Sequence, residues 1–263
     1  MSFMSQLFDR IKNYLLKDTN AKFDRLHAES QVLQSRVDFL ENRLINYYRN
    51  RWDVLDCVAD YLVNAELPGD YAEFGVYKGT TFGYAANLFH TLFPQMRFLA
   101  FDSFEGLPEP KGLDISPEGF SSGFFKGQYA VTENDFCRNV QIAAPDLPLN
   151  QLVTTKGWFD QVLTSEYADK IALQHLACIW IDCDFYESTV PVLQFITPYL
   201  SIGSVILFDD WRCYRNLVDR GERRACSEWL ERNSGLVLNE FISFGFHGMS
   251  FTVASLPEGK KTN

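Results

Sequence analysis

The strongest constraint on this chain is a rhythm that begins near Tyr71. Short, continuously apolar runs at 71–76, 97–101, 151–154, 178–181 and 204–208 alternate with amphipathic segments at 80–93, 132–144 and 188–200. Strands that are apolar throughout need cover on both faces, and a helix between successive strands carries the chain back for parallel pairing. The tail breaks the rhythm. After a predicted helix at 217–231, strand-like runs at 237–244 and 249–254 are joined only by Gly245-Phe246-His247-Gly248. So short a connection demands an antiparallel pair. The predicted fold is α/β: a doubly wound, Rossmann-like, seven-stranded and mostly parallel sheet with a C-terminal antiparallel hairpin.

The first fifty residues read differently. Leu26, Ser30, Leu33, Val37, Leu40, Leu44 and Tyr47 are spaced alternately four and three apart, the a/d pattern of a coiled coil, with charged and amide residues between them. A dimerising arm and a long amphipathic helix packed on its own domain both satisfy this pattern. Residues 1–50 are therefore predicted to form a helical arm and residues 51–263 the α/β domain. Phe3, Leu7, Ile11, Tyr14 and Leu15 could form one apolar face ahead of the heptads, although cationic residues for membrane docking are few there.

With 263 residues there is room for one large domain and an appendage. A net charge of −10 argues against a nucleic-acid partner, since phosphate binding needs a field of Lys and Arg. No window has the length and apolarity to span a bilayer, and the N-terminus lacks the continuous apolar stretch of a secretory signal. The six cysteines include no CxxC pair, and four lie in apolar or amphipathic segments, which fits a reducing compartment and a cytoplasmic location.

Between the first predicted strand and helix lies Glu73-Phe74-Gly75-Val76-Tyr77-Lys78-Gly79-Thr80-Thr81. Glycine there admits a close ligand and unusual dihedrals, and the helix start at Thr80 offers unpaired N–H groups. A P-loop requires Lys after its second glycine, and here Lys78 precedes it; a nicotinamide fingerprint requires GxGxxG. The ExGxxxG that remains is the pattern of methionine-derived cofactor binding. The next apolar strand ends at Asp102, whose carboxylate at that tip can accept both hydroxyls of a ribose. Residues 103–130, rich in Gly, Pro, Ser and Phe, follow directly, and a loop of that length reads as a lid over the carboxyl edge of the sheet. Phe120, Phe124, Phe125 and Tyr129 in it suit stacking on an acceptor and suit simple packing equally well.

Two apolar strands then end in acids: Asp182-Cys183-Asp184 and Asp209-Asp210. If the strands are neighbours, four carboxylates crowd one rim, and a cation must neutralise them or one pKa climbs steeply. An all-oxygen set selects a hard ion such as Mg²⁺ or Mn²⁺. Such an ion can hold a substrate hydroxyl while a neighbouring carboxylate removes its proton. Glu187 is read as an N-cap of the following helix, and His175, at the far end of its strand, as structural.

In this order YAEFGVYKGTT, FDSFEGLPEP, FKGQY, KGWF, IDCDFYEST and FDDW resemble the macrocin O-methyltransferase family, metal-dependent sugar methyltransferases of natural-product biosynthesis, over about residues 70–255. The resemblance implies S-adenosylmethionine as cofactor, with Glu73, Thr81, Asp102, Ser103 and Trp158 holding it beside the motif residues Gly75, Thr80 and Gly157. It also implies Mg²⁺ held by Asp182, Asp209 and Asp210, with Asp182 or Asp184 as the base. The expected activity is O-methylation of a hydroxyl on a sugar or glycosylated small molecule by a homo-oligomer. Two other readings stand beside it: a glycosyltransferase that uses the DxD at Asp182-Cys183-Asp184, and an inactive binding module that recruits partners through the arm.

Overall fold

A computed structural model describes residues 3–115 and 123–257. Phe120 and the side chains of Phe3, Leu7, Ile11, Tyr14 and Leu15 lie outside the described residues. The chain divides into two compact units, Met1–Arg49 and Asn50–Asn263. Helix α1 (Phe3–Asn64) makes up the first unit, and its last turns belong to the second. In the first unit Leu26, Leu33, Val37, Leu40 and Leu44 are all exposed. No described helix is long and apolar enough to cross a membrane.

In the second unit β1 (Asp70–Phe74) leads to α2 (Thr80–Leu92), β2 (Phe98–Asp102), α3 (Glu133–Ala143) and β3 (Leu152–Lys156). The short helices α4 (Phe159–Val162) and α5 (Ser165–Lys170) precede β4 (Leu176–Ile181), α6 (Tyr186–Ile196) and β5 (Leu200–Phe208). Helix α7 (Gly221–Arg232) and the strands β6 (Val237–Phe244) and β7 (Gly248–Ser255) complete the unit. The seven strands lie in the order β3-β2-β1-β4-β5-β7-β6. Strands β1 to β5 pair in parallel, and β7 joins both β5 and β6 antiparallel. This is the sheet that the sequence predicts.

Alternation along each strand divides the core between the two faces. Tyr71, Phe98, Cys178 and Trp180 join Phe82 and Phe89 of α2 and Val54, Val58 and Leu62 of α1. Phe74, Phe101, Ile179 and Ile181 face the other way, toward Leu193 of α6 and Trp229 of α7. Burying side chains of this size contributes about 1.5–3 kcal/mol each before entropy is counted.

Two boundaries differ from expectation. Helix α7 starts at Gly221, not near Leu217, because the backbone is extended at Leu217 (φ −68°, ψ 137°) and again at Arg220 (φ −135°, ψ 157°). Glu187 is not an N-cap: it lies within the first turn of α6, whose cap residue is Phe185.

Candidate active site

The parallel register brings the functional tips to one edge. Phe74 is paired with both Phe101 and Ile181, Ile181 with Phe208, and Asp102 with Lys156. The residues that follow are therefore neighbours. Backbone bonds continue the ladder past the strand ends: Gly75 N–H donates to the Phe101 carbonyl, Asp182 N–H to Phe74, Asp209 N–H to Ile181 and Gly157 N–H to Asp102, each at 2.9 Å.

At the centre Gly75 is in the left-handed region (φ 87°), and a Cβ there would lie 2.0 Å from the Asp182 carbonyl oxygen. Only glycine lets the loop leave β1 against the tip of β4. Gly79 (φ 76°) caps α2, and behind it Thr80 is exposed and Thr81 buried. Asp102 closes the loop. Its Oδ2 accepts the N–H groups of Val76 (2.8 Å) and Tyr77 (3.2 Å), and its Oδ1 accepts that of Phe104 (2.7 Å). Ser103 Oγ donates to the Gly106 carbonyl at 3.0 Å, and Trp158 caps the short α4. Glu73 is buried and accepts the Tyr71 hydroxyl; burial pushes its pKa up to about 8.

The acids do gather. Carboxylate oxygens of Asp182, Asp184 and Asp210 all lie within 4.8 Å of one another. Asp184 reaches this position in a left-handed conformation (φ 58°), which Asp tolerates better than most residues, and its N–H donates to Asp210 Oδ2 at 3.2 Å. Burial first, and then the neighbouring carboxylates, hold Asp182 and Asp184 well above the usual carboxylate range. Asp209 stands apart from this group of three: its Oδ2 forms a buried ion pair with Arg51 of α1. Burial raises the Asp209 pKa to about 6 against the opposing pull of Arg51. Its Oδ1 is buried with no hydrogen-bond donor among the described residues. His247 Nδ1 donates to the Asp209 carbonyl at 2.6 Å. His175, as expected, sits at the opposite edge, where its carbonyl accepts Asp70 N–H.

Three contributors escaped the sequence reading. Arg51 supplies the cation for Asp209. Glu222, fully buried in the first turn of α7, accepts Cys183 N–H (3.1 Å) through Oε1 and Asp210 N–H (2.9 Å) through Oε2, so one carboxylate ties both acid-bearing tips together. Asp114, buried in the lid segment, accepts the first N–H of α6 (Tyr186, 2.6 Å) and of α7 (Gly221, 3.0 Å). Tyr129 packs edge-on to Tyr77 with ring centroids 5.3 Å apart, and partial burial followed by Asp184, Asp210 and Asp182 raises its hydroxyl to about 12. Of the other lid aromatics, Phe124 meets Phe185 (5.7 Å) and Tyr214 (6.4 Å), while Phe125 is exposed.

The residues present fit a hard divalent cation. Two buried carboxylates and the half-buried Asp182 share one small volume, and a fourth keeps a buried oxygen without a donor, which would be costly unless a charge compensates it. The glycine turn beside them, with its left-handed backbone and the start of α2, fits a bound nucleoside.

A sheet of this order, with its last strand inserted antiparallel beside β5, is the class I methyltransferase fold. The profile of the macrocin-O-methyltransferase (TylF) family matches residues 18–229, and the chain belongs to that family. Among curated relatives, it is 28% identical over 167 residues to the demethyldecarbamoylnovobiocin O-methyltransferase of Streptomyces niveus, covering 60% of this chain and 58% of the relative. It is 30% identical over 159 residues to an 8-demethyl-8-(2,3-dimethoxy-alpha-L-rhamnosyl)-tetracenomycin-C 4'-O-methyltransferase of Streptomyces olivaceus, covering 59% and 57%. The match thus spans under two thirds of either relative. Among solved structures, the calicheamicin methyltransferase CalS11 superposes with a TM-score of 0.61 at 21% identity over 76% of this chain and 77% of that one. The O-methyltransferase NovP gives 0.60 at 22% over 78% and 80%. At these identities the superpositions speak for the fold.

Proposed function

We propose that this chain is an S-adenosylmethionine-dependent O-methyltransferase acting on a hydroxyl of a sugar or glycosylated small molecule, with Mg²⁺ or Mn²⁺ at the acidic tips. The observation that carries the proposal is the close group of Asp182, Asp184 and Asp210 beside the Gly75 turn. The activities named for the two Streptomyces relatives support methyl transfer to oxygen, in one case on a rhamnosylated compound.

In this reading the cofactor lies against Gly75 and the start of α2, with its ribose on Asp102 and with Glu73, Thr80, Thr81, Ser103, Gly157 and Trp158 around it. Asp182, Asp209 and Asp210 would hold the cation, with Asp184 beside them. When bound, the cation supplies Lewis acidity that lowers the pKa of an acceptor hydroxyl. Asp184, seated beside these ligands, takes the proton. Phe124 and Tyr129 of the lid exclude water from that edge.

A glycosyltransferase reading would explain the DxD but not the ExGxxxG turn, and an inactive module would have to keep several buried carboxylates at a cost. The test is transfer of labelled methyl from S-adenosylmethionine to a rhamnosylated aromatic acceptor in Mg²⁺. Label in the sugar that disappears in EDTA and in Asp184→Asn supports the proposal. Tight binding of a UDP-sugar without any binding of S-adenosylmethionine overturns it.

A further inference from the structure

The exposed apolar stripe of the first unit has a period, a composition and a set of flanking charges that together describe a partner. Extending the heptad phase in both directions puts Leu16, Phe23, Ser30, Val37 and Leu44 at a and Thr19, Leu26, Leu33, Leu40 and Tyr47 at d. These residues lie on one continuous helix. The apolar members keep high exposure: Phe23 69%, Leu26 65%, Leu33 61%, Leu40 63% and Leu44 55%. A helix that shows so much aliphatic surface in a regular seam is built to bury it against another helix.

We infer that the seam pairs with the same seam of a second copy, as a parallel, in-register, two-stranded coiled coil. Leucine dominates d, and a carries Val37 and a single polar Ser30 among Leu16, Phe23 and Leu44, so the polar layer and the flanking charges decide the pairing. In-register parallel pairing sets Ser30 opposite Ser30 and Thr19 opposite Thr19, so each hydroxyl meets its twin. It also sets Arg36 at g beside Glu41 at e of the second helix, twice by symmetry. The antiparallel alignment that covers the whole seam faces Ser30 with Leu33 and Thr19 with Leu44, and its attraction between Glu29 and Arg36 at g is offset by Lys22 against Arg43. Matching of polar layers and of charge therefore both select the parallel pair. From Leu16 to Tyr47 five acids offset five bases, so the stretch carries no net positive charge to draw it to anionic lipid, which disfavours a membrane as the occupant.

The experiment uses the full chain. Light scattering should give an even multiple of 30.3 kDa that halves in Leu33→Glu/Leu40→Glu, with S-adenosylhomocysteine affinity unchanged. Ser30→Cys should form a disulfide-linked dimer under mild oxidation, above the background of the six native cysteines, and Ser35→Cys, on the outer side of the helix, should not. A wild-type monomer, a mass unaltered by the double substitution, or a fall to one third would each overturn the inference. So would cross-linking of Ser30→Cys only with Leu33→Cys, or sedimentation of the wild type as a monomer on phosphatidylserine vesicles.

Discussion

Changing Asp114 to Asn alters one atom of a buried side chain that accepts the first N–H of two helices, α6 and α7. The amide keeps one acceptor and turns an NH₂ toward the other helix, so one buried N–H loses its partner, at about 1–3 kcal/mol. Loss of the negative charge also removes a favourable interaction with two helix N-termini, at about 0.3–1 kcal/mol each. Together these give about 2–5 kcal/mol. At about 2–4 °C per kcal/mol for a domain of this size, Tm should fall by about 4–20 °C. Because α6 follows the Asp182–Asp184 tip and Glu222, which braces both tips, sits in the first turn of α7, the loss should also reach the acids. Apparent Mg²⁺ affinity should weaken by about 10–100-fold, as for other groups that orient metal ligands. Thermal melts by circular dichroism with and without Mg²⁺ read both effects. An Asn variant with wild-type Tm and metal response would refute the idea that Asp114 fastens the lid segment to these helices.

Arg51→Met should leave Asp209 buried and uncompensated, at about 3–5 kcal/mol. Without Arg51 the Asp209 pKa should rise above its present value of about 6, so the electrostatic deficit should be absent well below pH 6, where the carboxyl is protonated in both proteins, and grow as the pH rises past it; a deficit that does not vary with pH in thermal melts would assign the loss to packing. Asp102→Ala should free Val76 and Tyr77 N–H and weaken S-adenosylhomocysteine binding in calorimetry by about 1–3 kcal/mol. Unchanged affinity would remove Asp102 from the cofactor site.

The sheet was legible because its signal is local. Runs such as 178–181 and 204–208 are apolar, short and bounded, and the four-residue link before β7 leaves only one way to pair. The meeting of Asp182 with Asp210 follows from that topology alone. What stayed hidden depends on distant partners. Arg51 looks like one more charge on a polar helix, yet it meets Asp209 across 158 residues of sequence. Glu222 reads as an ordinary acid in a first helical turn, and Asp114 as part of a Gly- and Pro-rich loop. Asp184, expected in the crowd of carboxylates, gave no warning that it would take a left-handed conformation, nor Asp209 that it would turn toward Arg51. Glu187 shows the opposite failure, since its apparent capping role falls to Phe185 and the remote Asp114.

Mn²⁺ titration followed by electron paramagnetic resonance, on the wild type and on Asp182→Asn and Asp210→Asn, tests the cation at the strand tips most directly. The account predicts one tightly held ion per chain, lost in both variants while S-adenosylhomocysteine binding persists. Wild-type protein that leaves Mn²⁺ in solution, or variants that bind it as well as the wild type does, would contradict it.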